Sequence, residues 1–142
     1  TIKLPDRLKS LGQECFKGAG LTEISLPENV TNLNLGCFQD CVRLKTVILN
    51  EKLETIGSFA FAQTMIPEIV IPKSVKTICS YAFDWINGSI NIAILGRSTK
   101  IEVGKHGSPT KKIIFCLAGS EAQRNARALG LTVKPLNEFR NV

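Results

Sequence analysis

At 142 residues the chain has room for one domain, and 44% hydrophobic with 21% charged residues excludes an intrinsically disordered polymer. No apolar run approaches the roughly 18–20 residues that a bilayer span needs, so membrane insertion is not expected. The formal charge of +6 is confined to one end: residues 97–142 hold nine basic and three acidic side chains, while the first 96 balance nine against nine. A nucleic-acid partner is therefore not favoured, and one Trp with one Tyr is too little for a base-stacking surface.

In chain order, the first signature is Leu4-Pro5, and it returns. Leu26-Pro27, Leu49-Asn50 and Ile71-Pro72 follow at spacings of 22, 23 and 22 residues. Three residues after each anchor stands Leu8, Val30, Leu53 or Val75, and six after it Leu11, Leu33, Ile56 or Ile78. Ten residues on comes a small residue, Cys15, Cys37, Ala60 or Ala82, and next to it Phe16, Phe38, Phe61 or Phe83. Ahead of the later anchors run Leu21-x-x-Ile24-x-Leu26, Leu44-x-x-Val47-x-Leu49 and Ile66-x-x-Ile69-x-Ile71. Their last two apolar residues alternate, as on a half-buried strand. One turn of 22 residues cannot bury its own apolar ring, so successive turns must stack into a solenoid. The strands then pair in parallel about 4.8 Å apart, all on one face. Each proline sits just past its strand, where no ladder N–H is needed. The four phenylalanines form a spine inside the opposite wall.

Residues 95–117 read as an eroded fifth turn. With Leu95 at the proline position, Ile101 falls on Ile78, and Ile113, Phe115 and Leu117 fall on Ile90, Ile92 and Ile94; His106 takes the place of the missing Phe. Next, Ser120 and Gln123 form a capping box and Glu121 suits the positive end of a helix dipole. Ala122, Ala126 and Leu129 line one face. Gly130 is placed as a left-handed C′ residue, with Leu131 against Ala126. Such a helix is expected to cover the open end of the array and blunt its strand edge. No matching cap opens the chain, which reads as a fragment of a longer array or, alternatively, as an end that meets another domain. One domain is expected over 1–142, with repeats to about 94, the degenerate repeat 95–117, a cap 118–133 and a tail 134–142.

These residues resemble a known family. Leu26-Pro27-x-x-Val30-x-x-Leu33 with Cys37-Phe38-x-x-Cys41-x-x-Leu44 is similar to the BspA-type leucine-rich repeat, as is Ile71-Pro72-x-Ser74-Val75-x-x-Ile78-x-x-Tyr81-Ala82-Phe83. Ala118-Gly119-Ser120-Glu121-Ala122 resembles the C-terminal end of such arrays. The resemblance implies a right-handed leucine-rich repeat solenoid of α/β type, with a parallel sheet on the concave face and an irregular or short-helical convex side. It also implies a surface-exposed or secreted protein, of a kind linked to adhesion.

No enzyme constellation emerges. The one histidine, His106, lies in the turn-rich Gly104-Lys105-His106-Gly107-Ser108-Pro109, and Gly104-x-x-Gly107 lacks the strand-to-helix context of a phosphate loop. No cofactor or metal site is expected, since the five cysteines show no CxxC spacing. Cys15 and Cys37 fill the small slot before Phe, Cys79 a glycine-like slot, and Cys116 a strand position; buried thiols of this kind behave as small hydrophobes. Cys15 and Cys37 are also stacked equivalents, which leaves a bridge open. Asn29-Val30-Thr31 and Asn87-Gly88-Ser89 match glycosylation acceptors, relevant only in a secretory eukaryotic setting.

If Ile24 and Leu26 point inward, Glu23 and Ser25 point outward. Their equivalents are Thr46 and Ile48, Glu68 and Val70, then Asn91 and Ala93. Ile48, Val70 and Ala93 would make an apolar ladder flanked by Glu23 and Glu68, a candidate contact surface for a protein partner. The expected function is a non-enzymatic interaction module. The alternatives are a structural spacer, or an anion-binding module using Lys100, Lys105, Lys111, Lys112, Arg124 and Arg127.

Overall fold

The computed structural model describes residues 2–102 and 110–139. His106, Lys105 and the Gly104-x-x-Gly107 stretch lie outside the described residues. The chain winds through β1 (Glu23–Ser25), β2 (Asn32–Leu33), β3 (Thr46–Ile48), β4 (Thr55–Ile56), β5 (Glu68–Ile71) and β6 (Thr77–Ile78). It continues through β7 (Ser89–Ile94), β8 (Lys100–Ile101), β9 (Lys111–Cys116), helix α1 (Glu121–Ala128) and β10 (Thr132–Pro135), and then a 3-10 turn at Leu136–Glu138. All ladders are parallel. Odd-numbered strands build the concave wall and β2, β4, β6 and β8 a second, shorter sheet. This is the parallel-sheet solenoid that the repeats demand.

Three walls enclose one core. Ile24, Leu26, Ile69, Ile71, Ile92 and Ile94 enter it from the concave sheet, and Leu33, Ile56 and Ile78 from the second. The third wall is the turn carrying the spine. Phe16, Phe38, Phe61 and Phe83 stack with centroids 5.5, 5.5 and 5.4 Å apart. Hydrogen bonds tie this wall along the axis, Phe16 N–H to Cys37 O at 3.0 Å, Phe38 N–H to Ala60 O at 2.9 Å and Phe61 N–H to Ala82 O at 2.8 Å. Left-handed backbone on both sides of the spine makes this possible, at Glu14, Gly36, Phe59 and Tyr81 before it and Gly18, Asp40, Gln63 and Trp85 after it. For the side-chain-bearing residues that conformation costs roughly 1–2 kcal/mol each, so stacking must offset it. Asn50, standing where its neighbours have proline, donates from Nδ2 to the Pro27 and Val30 carbonyls at 2.6 and 2.8 Å. Its amide therefore fastens one coil to the one before.

The last coils depart from the sequence-based expectation in three ways. First, β7 pairs with β9 as Ile92↔Ile114 and Ala93↔Phe115, one residue out of the expected phase. Ile114 and Cys116 thus enter the core, while Ile113 and Phe115 turn to the outer face. Second, Leu129 is exposed, not packed on the coil; only Ala122 and Ala126 are buried on the helix. Third, the expected C-terminal helix covers one sheet and is followed by a further strand. The Ser120 side chain accepts from Gln123 N–H at 3.1 Å, but Gln123 Oε1 reaches back to Gly119 N–H, one residue short of a capping box. Leu131 N–H returns to Ala126 O at 2.9 Å with Gly130 at φ +71°, the expected left-handed stop. The chain then adds β10 to the edge of β9. So α1 covers the second sheet, where Asn125 Oδ1 accepts from Ile101 N–H at 2.9 Å, and β10 covers the first.

Candidate functional site

The outer face of the concave sheet carries the residues that the alternation places there. Glu23 lies opposite Thr46 and Ser25 opposite Ile48; Glu68 lies opposite Asn91 and Val70 opposite Ala93. Ile48 is 60% exposed and Val70 38%, but Ala93 is fully buried. The expected ladder therefore stops at Val70. The cover is the C-terminal tail: Phe139 packs on Ala93 and meets the Phe115 ring edge-on at 5.2 Å, with Ile113 and Leu136 around them. Its signal in the sequence was faint, a lone Phe after Pro135 with no repeat partner.

The wall also has a seam. Lys45 N–H donates to Thr22 O at 2.9 Å, yet the next coil has Pro67 at that position, with no N–H to give. The β1–β3 ladder and the four-stranded β10–β9–β7–β5 ladder are separate. Along this seam lies a depression of about 390 Å³, lined by Thr46, Ile48, Glu68, Val70, Pro72 and Phe139 among others. A second, of about 500 Å³, lies on the other side of Ile48, between Glu23, Ser25 and Thr46 and the first coil's Ile2, Lys3, Leu4 and Asp6. Thr46 and Ile48 belong to both. An exposed isoleucine thus stands between two hollows. The rims carry Asp6, Glu23, Glu28, Glu51 and Glu68 against Lys3 and Lys45, an acidic balance. Glu28 pairs with Lys52 at 2.7 Å, and that ammonium holds its carboxyl below the ordinary range.

The basic residues do not assemble comparably. Lys112 is drawn onto the buried carboxylate of Asp84, and Arg124 onto Glu121 at 2.6 Å and the Gly119 carbonyl at 2.8 Å. Hydrogen bonds from Arg124 and Asn125 hold the Glu121 carboxyl below its usual range. Lys100, Lys111 and Arg127 remain exposed on separate elements, β8, β9 and α1. Among the described residues, no group of three or more His, Cys, Asp or Glu side chains could hold a metal ion. No helix among them is long and apolar enough to cross a membrane.

A family model described as BspA type leucine rich repeat region (6 copies) matches residues 1–93. The chain belongs to the BspA-type leucine-rich repeat family. Repeats of this kind support a protein-interaction module and are typically non-catalytic. The fold is similar to that of the pneumococcal vaccine antigen PcpA, with a TM-score of 0.62 at 17% identity, covering 93% of this chain and 38% of that one. It is also similar to a leucine-rich repeat protein from Bacteroides ovatus, with a TM-score of 0.45 at 23% identity, covering 80% and 43%. This chain thus spans less than half the length of either structure. Among curated proteins no match is found.

Two features of this BspA-type array lie away from the concave sheet. Phe59, Tyr81 and Trp85 group their rings on the turn wall, with centroids 5.1 to 5.8 Å apart. The spacing of Phe59 and Tyr81, 22 residues, was the available clue, hidden by the low aromatic content. The cysteines also differ from a uniformly buried set. All five are free, and Cys37, Cys41 and Cys116 are buried, but Cys79 is half-buried and Cys15 exposed. Burial raises the Cys41, Cys79 and Cys116 thiol pKa values above the ordinary range.

Proposed function

We propose that this chain is a non-enzymatic interaction module of a surface or secreted protein, and that a protein partner docks on the concave face at β1, β3 and β5. The observation that carries this reading is the pair of hollows on either side of Ile48, with Val70 continuing the apolar strip. A contiguous apolar surface with a polar rim is what a protein contact needs at its centre. The acidic rim favours a partner segment presenting apolar side chains beside Lys or Arg. Membership of the BspA-type family supports the adhesion-type role. The anion-binding alternative loses support because Lys112 and Arg124 are engaged by Asp84 and Glu121.

The test uses peptides selected from a displayed random library against the full chain. Bound peptides should shift backbone resonances of Thr46, Ile48 and Val70. The double change Ile48→Glu with Val70→Lys should weaken them at least tenfold, about 1.4 kcal/mol, by placing charges that must be desolvated. The same change should leave thermal unfolding nearly unaltered, since both side chains face solvent. Lys100→Glu with Lys111→Glu is the control. If the control removes binding and the Ile48/Val70 change does not, the concave-face reading fails.

A further inference from the structure

Cys15 and Cys37 occupy the same place in successive coils, each directly ahead of a spine phenylalanine. Their sulfur atoms lie 3.5 Å apart. The backbone that presents them is held on both sides: Glu14 N–H donates to Leu35 O at 2.9 Å and Phe16 N–H to Cys37 O at 3.0 Å. The adjoining Phe16 and Phe38 rings stack within 2° of parallel. In-register stacking separates the two Cα atoms by about one coil spacing, roughly 4.8 Å, within the roughly 4.4–6.8 Å that disulfides span. Closing the remaining sulfur gap takes side-chain rotation, not movement of a coil. The two thiols differ in access, Cys15 being exposed and Cys37 buried. One can meet a reagent from solution while the other is already in place against it.

We propose that Cys15 and Cys37 form an oxidisable dithiol site whose co-substrate is a small disulfide, and whose product is an intrachain bond clamping the first coil to the second. The Cys15 thiolate attacks one sulfur of the small disulfide. That S–S bond breaks, one small thiolate leaves with the electron pair, and a mixed disulfide remains on Cys15. Cys37 then releases its proton to solvent and attacks the Cys15 sulfur, expelling the second small thiolate. Two protein thiols lose two electrons in all, and one small disulfide is reduced to two thiols. Burial disfavours the Cys37 thiolate, so the closing step speeds up as pH rises. Cys41 is nearby, but its Sγ is engaged by the Phe16 carbonyl oxygen at 3.0 Å. Because the first coil supplies Ile2, Leu4 and Asp6 to the larger hollow, the clamp would hold one wall of the concave face in place.

The experiment incubates the full chain with oxidised glutathione and follows it by intact mass, thiol titration after denaturation, and peptide mapping. A transient glutathione adduct on Cys15 should give way to loss of two hydrogens, with titratable thiols falling from five to three. The mapped bond should join Cys15 to Cys37. Cys37→Ala should stop at a stable adduct on Cys15, and Cys41→Ala should close normally. Cys15→Ala, a change at an exposed position, should form no such bond. The proposal is overturned if the wild-type chain keeps all its thiols, retains the adduct without closing, or joins Cys37 to Cys41.

Discussion

The spine makes a quantitative demand. Phe38 is fully buried between Phe16 and Phe61, with both ring centroids 5.5 Å away and both planes within 3° of its own. Phe38→Ala removes the transfer free energy of the ring and leaves a cavity that backbone bonds on three walls keep from collapsing. Large buried aromatics changed to Ala cost roughly 3–5 kcal/mol. Two stacked pairs are lost as well, each worth about 0.5–1.5 kcal/mol beyond burial and partly counted in that figure. Phe16→Ala should cost distinctly less, because Phe16 is half-buried and has one stacked neighbour in the spine. Urea unfolding would be followed by far-UV circular dichroism and by the fluorescence of Trp85, the only tryptophan. In a stacked array, stability is close to a sum of repeat and interface terms, so damage at Phe38 strikes two interfaces at once. Circular dichroism should therefore report loss of the first coils before Trp85, in the fourth, responds. If Phe38→Ala costs less than about 1 kcal/mol, or no more than Phe16→Ala, the spine is not the continuous packing element described.

Two smaller tests address the neighbouring walls. Gly57→Ala should cost about 1–3 kcal/mol in thermal unfolding, because the new methyl group would run into the Leu33 carbonyl oxygen and lie 3.0 Å from the Asn34 carbonyl carbon, both backbone atoms. Phe139→Ala should uncover Ala93 and Phe115, raising hydrophobic-dye binding and speeding amide exchange along β10 while the spine coils keep their protection.

Much of the fold is legible because stacking repeats every constraint. The four Phe positions, the alternation Ile24/Leu26 and Ile69/Ile71, and the left-handed Gly130 are each found in the structure. The failures are equally specific. Repeat spacing matches Ile113 and Phe115 to Ile90 and Ile92, a phase that requires every apolar residue to face inward. Phe115 instead faces out, because residues 134–139 return to cover it, and no local pattern announces a tail that folds over a sheet. The same tail removed Ala93 from the surface. Pro67 was readable in principle: within a strand repeat, a proline at a donor position opens the ladder.

These departures together bear on where the proposed partner would sit. The concave sheet carries apolar outward residues from Ile48 through Val70 and Ala93 to Ile113 and Phe115. The C-terminal half of that strip is already satisfied from within the chain: Phe139 and Leu136 pack on it, and the Lys134 ammonium lies 5.9 Å from the Phe115 ring. At that end Pro135 is the last residue of β10, a position that lacks a ladder N–H. Among the described residues the other half has no such cover. There Ile48 stands in solvent at 60% exposure between two hollows, beside a ladder that Pro67 keeps open. A surface protected at one end and left apolar at the other is not what a uniform spacer requires. The asymmetry, more than the presence of any single residue, is what supports the contact proposed at the coils of β1, β3 and β5.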